Sequence, residues 1–313
     1  MVERLLPAEL RTISPDLKRP PPPLKSTTHS CTNFLPPRPS PAPPLILPTF
    51  KDVPPASSME VSSALRKSSN TSAPGPSGIP YPVWKRVHKA NERLLPSFFT
   101  PLLTNRYDPQ AIKRANGIVL DKLGKSDYRI PSSFRIIVLL ETVSRIFERL
   151  SALRLASAAC SLALLYPNQC GSLAGLGCFD AVATLTLEVR LFQAASFKVA
   201  TLFLDVKGGL DNVCANKVAD ILVEGGVSAY LVAWIMSFLS KRQCRLILRG
   251  APKVFCLVTV CTLQGSPISH LLFVLYSASL HPTIPSDLAI SYVDDMTLTV
   301  GSDSVRSNIR ALQ

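Results

Sequence analysis

Long uninterrupted apolar runs are missing from this 313-residue chain, and histidines number only four. No stretch of eighteen uncharged apolar residues occurs, which argues against a membrane-spanning helix. The opening MVERLLPAELRTISPDLKRP also lacks the sustained apolar core of a signal peptide. The expectation is a soluble intracellular protein of the nucleus or cytoplasm, with no membrane partner. The eight cysteines, at 31, 160, 170, 178, 214, 244, 256 and 261, include no C-x-x-C pair. Reduced, mostly packed thiols are expected rather than zinc ligands or disulfides. Acids are scarce too: 21 Asp and Glu face 34 Lys and Arg, a formal net charge of +13. Such an imbalance asks for an anionic partner, nucleic acid ahead of a membrane surface. With 47% hydrophobic and 18% charged residues, the chain is able to bury a substantial core as one large domain or two smaller ones.

Proline is in excess, and more than half of the 28 lie before residue 56, including PPRPSPAPP at 36–44. That composition cannot build a regular core, so residues 1–57 are expected to be an extended or disordered linker, with the folded part at 58–313.

Two of the acids stand side by side. Residues 290–300, ISYVDDMTLTV, read as a β-hairpin whose tip carries Asp294 and Asp295. Two adjacent acids repel each other unless a cation lies between them, although a lone Asp pair in a turn is ordinarily just solvated. A third acid changes the balance. Residues 201–204 read as a buried strand ending in Asp205. Beside the hairpin it would complete three carboxylates around two ions about 3.5 to 4 Å apart, the arrangement used for in-line phosphoryl transfer.

LFLDVKGGLDNV, LQGSPISHLLF and SYVDD, in that order, resemble motifs A, B and C of reverse transcriptases, most nearly those of non-LTR (LINE-like) retrotransposons of fungal type. The likeness extends upstream through SNTSAPGPSGIPYPVWK, ANGIVLDKLGK, PSSFRIIVLLETVSRIFERL and PNQCGSLAGLGCFDA, from about Ser68 to the C-terminus. It implies an α+β polymerase right hand: fingers at about 58–190 and a palm with an antiparallel sheet at about 191–313, truncated before the thumb. The implied function is RNA-directed DNA polymerase, transferring deoxynucleotides from dNTP to a DNA primer on an RNA template. Its cofactor would be two Mg2+ ions, with Mn2+ as the substitute. Asp205, Asp294, Asp295 and the backbone of Val206 would hold the metal. Lys122 and Arg135, on paired finger strands at 118–125 and 134–140, would touch the nucleotide phosphates. Gln264 and Gly265 would lie against nucleotide and template. Leu210 stands where the family usually has Phe or Tyr beneath the sugar, a departure that bears on sugar selectivity, because a flat ring there excludes the 2′-hydroxyl. Leu263 and His270 replace prolines of motif B. Residues 167–181 are assigned to template contact.

Two other classes stay open: a catalytically inactive nucleic-acid-binding remnant, and an RNA-directed RNA polymerase. Helices are expected at 58–66, across 84–103, at 141–153 with Glu148 on the polar face, at 215–224, and after Ser228. Another is expected after Ser266 and Pro267 as N-cap and first turn, and His88 is expected at the surface. Residues 244–249 and 254–260 read as a hairpin, with Lys241, Arg242, Arg245, Arg249 and Lys253 available to nucleic acid.

Overall fold

The computed structural model describes residues 53–128, 130, 133–173, 175–206, 208–247, 255–258, 262–284 and 286–313. Most of the proline-rich segment expected at 1–57, and Arg249 and Lys253, lie outside the described residues.

The described chain begins by fastening itself to a long helix. Ser57 caps α1 (Ser58–Arg66): its hydroxyl accepts from the Glu60 N–H at 3.2 Å, while its own N–H donates to Glu60 Oε2 at 2.9 Å. Arg154, on α4 (Thr142–Ser161), pairs with Glu60 at 2.7 Å and donates to the carbonyls of Pro54 and Pro55. Between them lie α2 (Tyr81–Ala90) and α3 (Leu94–Thr104), where the apolar spacing had indicated helix. His88 is a correction to its expected exposure. It is buried, with Nε2 2.8 Å from the Ser62 hydroxyl, because α1 covers that side of α2.

These helices pack with α6 (Ala215–Glu224), α7 (Ala229–Leu239) and α8 (Ser269–Ala278) around one large core. Its centre is aromatic: the Phe99 ring stacks on Phe147 at 5.0 Å, and Phe147 meets Trp234 edge-on at 5.0 Å. Gly225 ends α6 and Gly226 follows at φ 79°, as the Gly pair foretold. Ser228 precedes α7, but its side chain makes no capping bond.

Two four-stranded sheets flank this core among the described residues. The first has the order β2-β1-β5-β6, formed by β1 (Arg114–Asp121), β2 (Phe134–Leu140), β5 (Gln243–Ile247) and β6 (Phe255–Leu257). The expected pairing of β1 with β2 is present, antiparallel, with Ile118 opposite Ile137. β1 is displaced toward its N-terminus because β5 pairs alongside it from Arg114, and the turn at Leu123 and Gly124, with Gly124 at φ 78°, stops it before Lys122. β5 and β6 are antiparallel, as the expected hairpin requires.

The second sheet has the order β3-β7-β8-β4, from β3 (Gln169–Cys170), β4 (Lys198–Asp205), β7 (Leu288–Tyr292) and β8 (Asp295–Ser302). Its long strands are antiparallel, and only the short β3 runs parallel to β7. The expectation of a buried β4 is corrected: β4 is an edge strand, and Phe203 is 70% exposed. Apolar composition reports strand propensity, whereas edge position is decided by which partners arrive. α5 (Cys178–Ala194) and α9 (Val305–Ala311) contact this sheet, and α5 contributes no buried residue.

Candidate active site

The candidate site lies where β4 ends beside the β7–β8 hairpin. Asp205 is the last residue of β4 and pairs with Asp295, the first residue of β8, so both side chains leave the same face of the sheet. Both are exposed. Tyr292 pairs with Asp295, leaving Val293 and Asp294 as a two-residue turn. The turn joins β4 directly, since the Val206 N–H donates to the Asp294 carbonyl at 3.4 Å. Asp294 is half-buried and lines a cavity with Val206, Gly209, Asn212, Phe273 and Tyr276. The hairpin reading of 290–300 is therefore correct in type, but its two-residue tip is Val293 and Asp294 while Asp295 opens β8, so the two acids face different surroundings.

Val293 holds φ at 57°, a strained conformation for a β-branched residue. Neighbours impose it. The Val293 N–H donates to the Cys170 carbonyl at 3.2 Å, and a Cβ on Gly171, whose φ is 80°, would stand 2.8 Å from Val293 Cγ2. The adjacent Gln169 is buried, and its amide donates to the Val274 carbonyl of α8 at 2.9 Å. Thus the segment expected to touch template braces the hairpin turn and ties it to α8, a role that its Gly-rich composition alone did not reveal.

Motif B residues approach from the other side. The Val138 N–H of β2 donates to the Gln264 carbonyl at 2.9 Å, and Gly265 follows at φ 120°. A Cβ there would lie 2.4 Å from the Val138 carbonyl oxygen, so glycine alone fits. The Thr262 hydroxyl donates to the Leu210 carbonyl, linking this turn to the one after β4. Leu210 itself turns into the large helical core. Arg135 lies opposite Leu120 on the β1–β2 ladder, and Lys122 is just past the strand, its N–H bonded to the Ser133 carbonyl at 2.9 Å. Lys122 also acts on Asp211: burial raises the Asp211 carboxyl above the usual range, and the Lys122 charge pulls it back. The β1–β2 hairpin end and the turn after β4 are therefore electrostatic neighbours.

The expected helix cap at Ser266 is corrected. α8 starts at Ser269, and Ser266 is buried, donating to Glu148 Oε2 at 2.5 Å instead of capping. Glu148 in turn is fully buried rather than on a polar face. Of the basic residues near the β5–β6 hairpin, Arg242 is buried over the Phe238 ring, whereas Arg245 bonds Asn116 Oδ1 at 2.9 Å and lies over Phe255.

Carboxylate oxygens suit a hard divalent ion. Asp205 and Asp295, opposed on one face and engaged in no ion pair among the described residues, fit one side of such a site. Among the described residues, no three His, Cys, Asp or Glu side chains already converge as a ready metal cluster.

Residues 122–313, more than half of the chain, match the family described as reverse transcriptase (RNA-dependent DNA polymerase). The chain belongs to the reverse transcriptase family. Its relatives include a "Probable RNA-directed DNA polymerase from transposon X-element" of Drosophila melanogaster, 24% identical over 247 residues, covering 78% of this chain and 27% of the relative. Another is the "Probable RNA-directed DNA polymerase from transposon BS" of the same organism, 25% identical over 223 residues, covering 69% of this chain and 24% of the relative. The chain thus spans about a quarter of the length of the curated relatives it matches. The LINE-like reverse transcriptase expectation is borne out by this match; the attribution to a fungal type is a finer one that neither insect relative touches. Among the described residues no helix is long and apolar enough to cross a membrane.

Proposed function

We propose that this reverse transcriptase chain catalyses RNA-directed DNA synthesis for a LINE-like retrotransposon, adding deoxynucleotides from dNTP to a DNA primer on an RNA template. In this reading the sheet β3-β7-β8-β4 with its helices is the palm, and β1 and β2 belong to the fingers. The observation that carries the proposal is the register of Asp205 opposite Asp295, with Asp294 in the connecting turn. Like charges directly opposed across a ladder are unfavourable, so a sheet that keeps them is suited to a cation.

Asp205, Asp294, Asp295 and the Val206 backbone would hold divalent ions, Mg2+ or in its place Mn2+. Bound there, such ions supply activation of the primer 3′-hydroxyl and stabilisation of the departing pyrophosphate. The protein's own part is orientation. Lys122 and Arg135 offer fixed cations to the triphosphate, and the bidentate guanidinium gives direction as well as charge. Gln264 and Gly265 line the seat of the base and sugar, the missing Cβ permitting close backbone approach. No side chain serves as a nucleophile, because the substrate hydroxyl is the attacking group. The net charge of +13 supports binding of the template–primer phosphates.

Primer extension on an RNA template with magnesium, comparing dNTP with rNTP and wild type with Asp294→Asn, tests the proposal. Deoxynucleotide incorporation that vanishes in the variant is expected. Undiminished extension by Asp294→Asn would overturn it, ribonucleotide preference would indicate an RNA polymerase, and salt-sensitive binding without synthesis would indicate an inactive remnant.

A further inference from the structure

One fully buried acid of the helical layer has no part in the proposed chemistry. Glu148 sits on α4 with 0% relative exposure, one turn after Ser144, whose hydroxyl donates to Glu148 Oε1 at 3.3 Å. Its other oxygen accepts from Ser266 at 2.5 Å, and Ser266 is itself 1% exposed. A carboxylate in a dry core is costly, and a well-packed apolar residue commonly serves stability as well or better. What Glu148 adds is direction: it holds the residue that immediately follows Gln264 and Gly265.

Gly265 has a backbone conformation that only glycine adopts readily, so the turn relies on outside attachments as well as on its own Ser266 N–H to Leu263 carbonyl bond at 3.1 Å. Among the described residues its hydrogen bonds to other segments include the Val138 N–H on the Gln264 carbonyl, the Thr262 hydroxyl on the Leu210 carbonyl, and the Ser266 hydroxyl on Glu148. The Ser269 hydroxyl closes the turn from within by accepting from the Leu263 N–H at 3.2 Å. The first two attachments leave the turn hinged between β2 and the segment after β4. The third ties it to α4, at the centre of the helical core.

We infer that Glu148 is a positioning residue: through the Ser266 hydroxyl it fixes the turn presenting Gln264 and Gly265, and with it the seat of the incoming nucleotide. This rests on the proposed polymerase function for its nucleotide, but the positioning of the turn is a property of the fold and is measurable alone. Burial raises the Glu148 carboxyl to about 7, countered first by the Ser266 hydrogen bond; Asp108 raises it further, while Arg242 and Arg145 oppose. The carboxyl is therefore sensitive to losing its Ser266 donor.

The test compares Ser266→Ala, Glu148→Ala and Glu148→Gln with wild type in two measurements. Amide hydrogen exchange across 262–269 reads the turn itself, and primer extension reads the KM for dNTP against kcat. Ser266→Ala and Glu148→Ala are expected to speed exchange at Gln264 and Gly265. They should raise the dNTP KM by about tenfold or more, the loss of a charge-assisted hydrogen bond, with a smaller change in kcat. Glu148→Gln, which retains an acceptor for Ser266, is expected to restore most of both. Because Glu148→Ala risks misfolding through its cavity, Ser266→Ala, provided it keeps a cooperative melting transition, is the deciding variant, its exchange at 262–269 compared with that of residues in α4 and α7 so that a global loss of stability is told apart from a loosened turn. Wild-type exchange rates in Ser266→Ala would overturn the inference, and so would faster exchange with an unchanged dNTP KM. If the wild-type chain makes no DNA, the polymerase reading fails, while the exchange comparison still decides the anchoring role.

Discussion

Replacing Asp295 by Asn isolates the electrostatic cost of keeping two acids in register. Asp205 and Asp295 are directly opposed on an antiparallel ladder, which puts their Cβ atoms about 5 Å apart. Two unit charges at that distance repel by about 0.8 kcal/mol in bulk water, and screening at physiological salt, with a Debye length of about 8 Å, reduces this. Both residues are exposed, so the low end applies: Asp295→Asn should gain about 0.5 kcal/mol, or about 1–2 °C in melting temperature, at low salt with a chelator present. Asp205→Asn should gain the same, and the double variant no more than either single, because one substitution already removes the repulsion. Added salt should close the gap. Added magnesium should reverse it, because an ion that binds only the native wild type stabilises by mass action. Thermal denaturation of the four proteins in chelator, in high salt and in magnesium is the assay. If Asp295→Asn is no more stable than wild type in chelator at low salt, the opposed-carboxylate argument fails, whatever the variant does to synthesis.

Gly265→Ala should be inactive and less stable by roughly 1–3 kcal/mol, since its Cβ would meet the Val138 oxygen at 2.4 Å in a left-handed conformation; denaturant unfolding and primer extension check this. Asp108 is buried, and burial lifts its carboxyl from 3.8 to about 6 against the pull of Lys113. The native state then holds a proton that the unfolded chain releases, so this residue's contribution is greatest below pH 4 and falls as pH rises to about 6. The fall is on the order of 3 kcal/mol, and Asp108→Asn should flatten that limb of a stability–pH curve. Leu210→Phe should cost about 1–3 kcal/mol by overpacking the helical core, even if it sharpens discrimination against ribonucleotides; melting temperature and a dNTP/rNTP competition measure the two effects.

The hairpin at 290–300 and the strand ending in Asp205 were legible in sequence because β-branched and aromatic residues flank acids that no apolar core accommodates. The pairing that brings them together was supplied by motif order rather than by composition. What stayed hidden depends on distant partners. Glu148 falls on the face opposite the apolar stripe, and Ser266, from a turn far along the chain, meets it there as a buried partner. For the same reason Ser266 looks like a cap in isolation: serine before an apolar helix is a good N-cap, but its hydroxyl has a buried carboxylate within reach. β4 reads as buried because Leu202, Phe203 and Leu204 are apolar, yet edge status belongs to the assembled sheet.

The brace at Gln169 to Gly171 sets an order of assembly. Val293 adopts its strained conformation only against a segment far upstream, and β4 has β8 as its one sheet neighbour among the described residues. During synthesis the helices from α1 to α8 emerge before residue 288, so their core is free to condense while Asp205 still lacks a partner strand. Asp294 and Asp295 join last. A message interrupted shortly before the hairpin would thus yield a protein retaining most of its helical core while offering no second or third carboxylate.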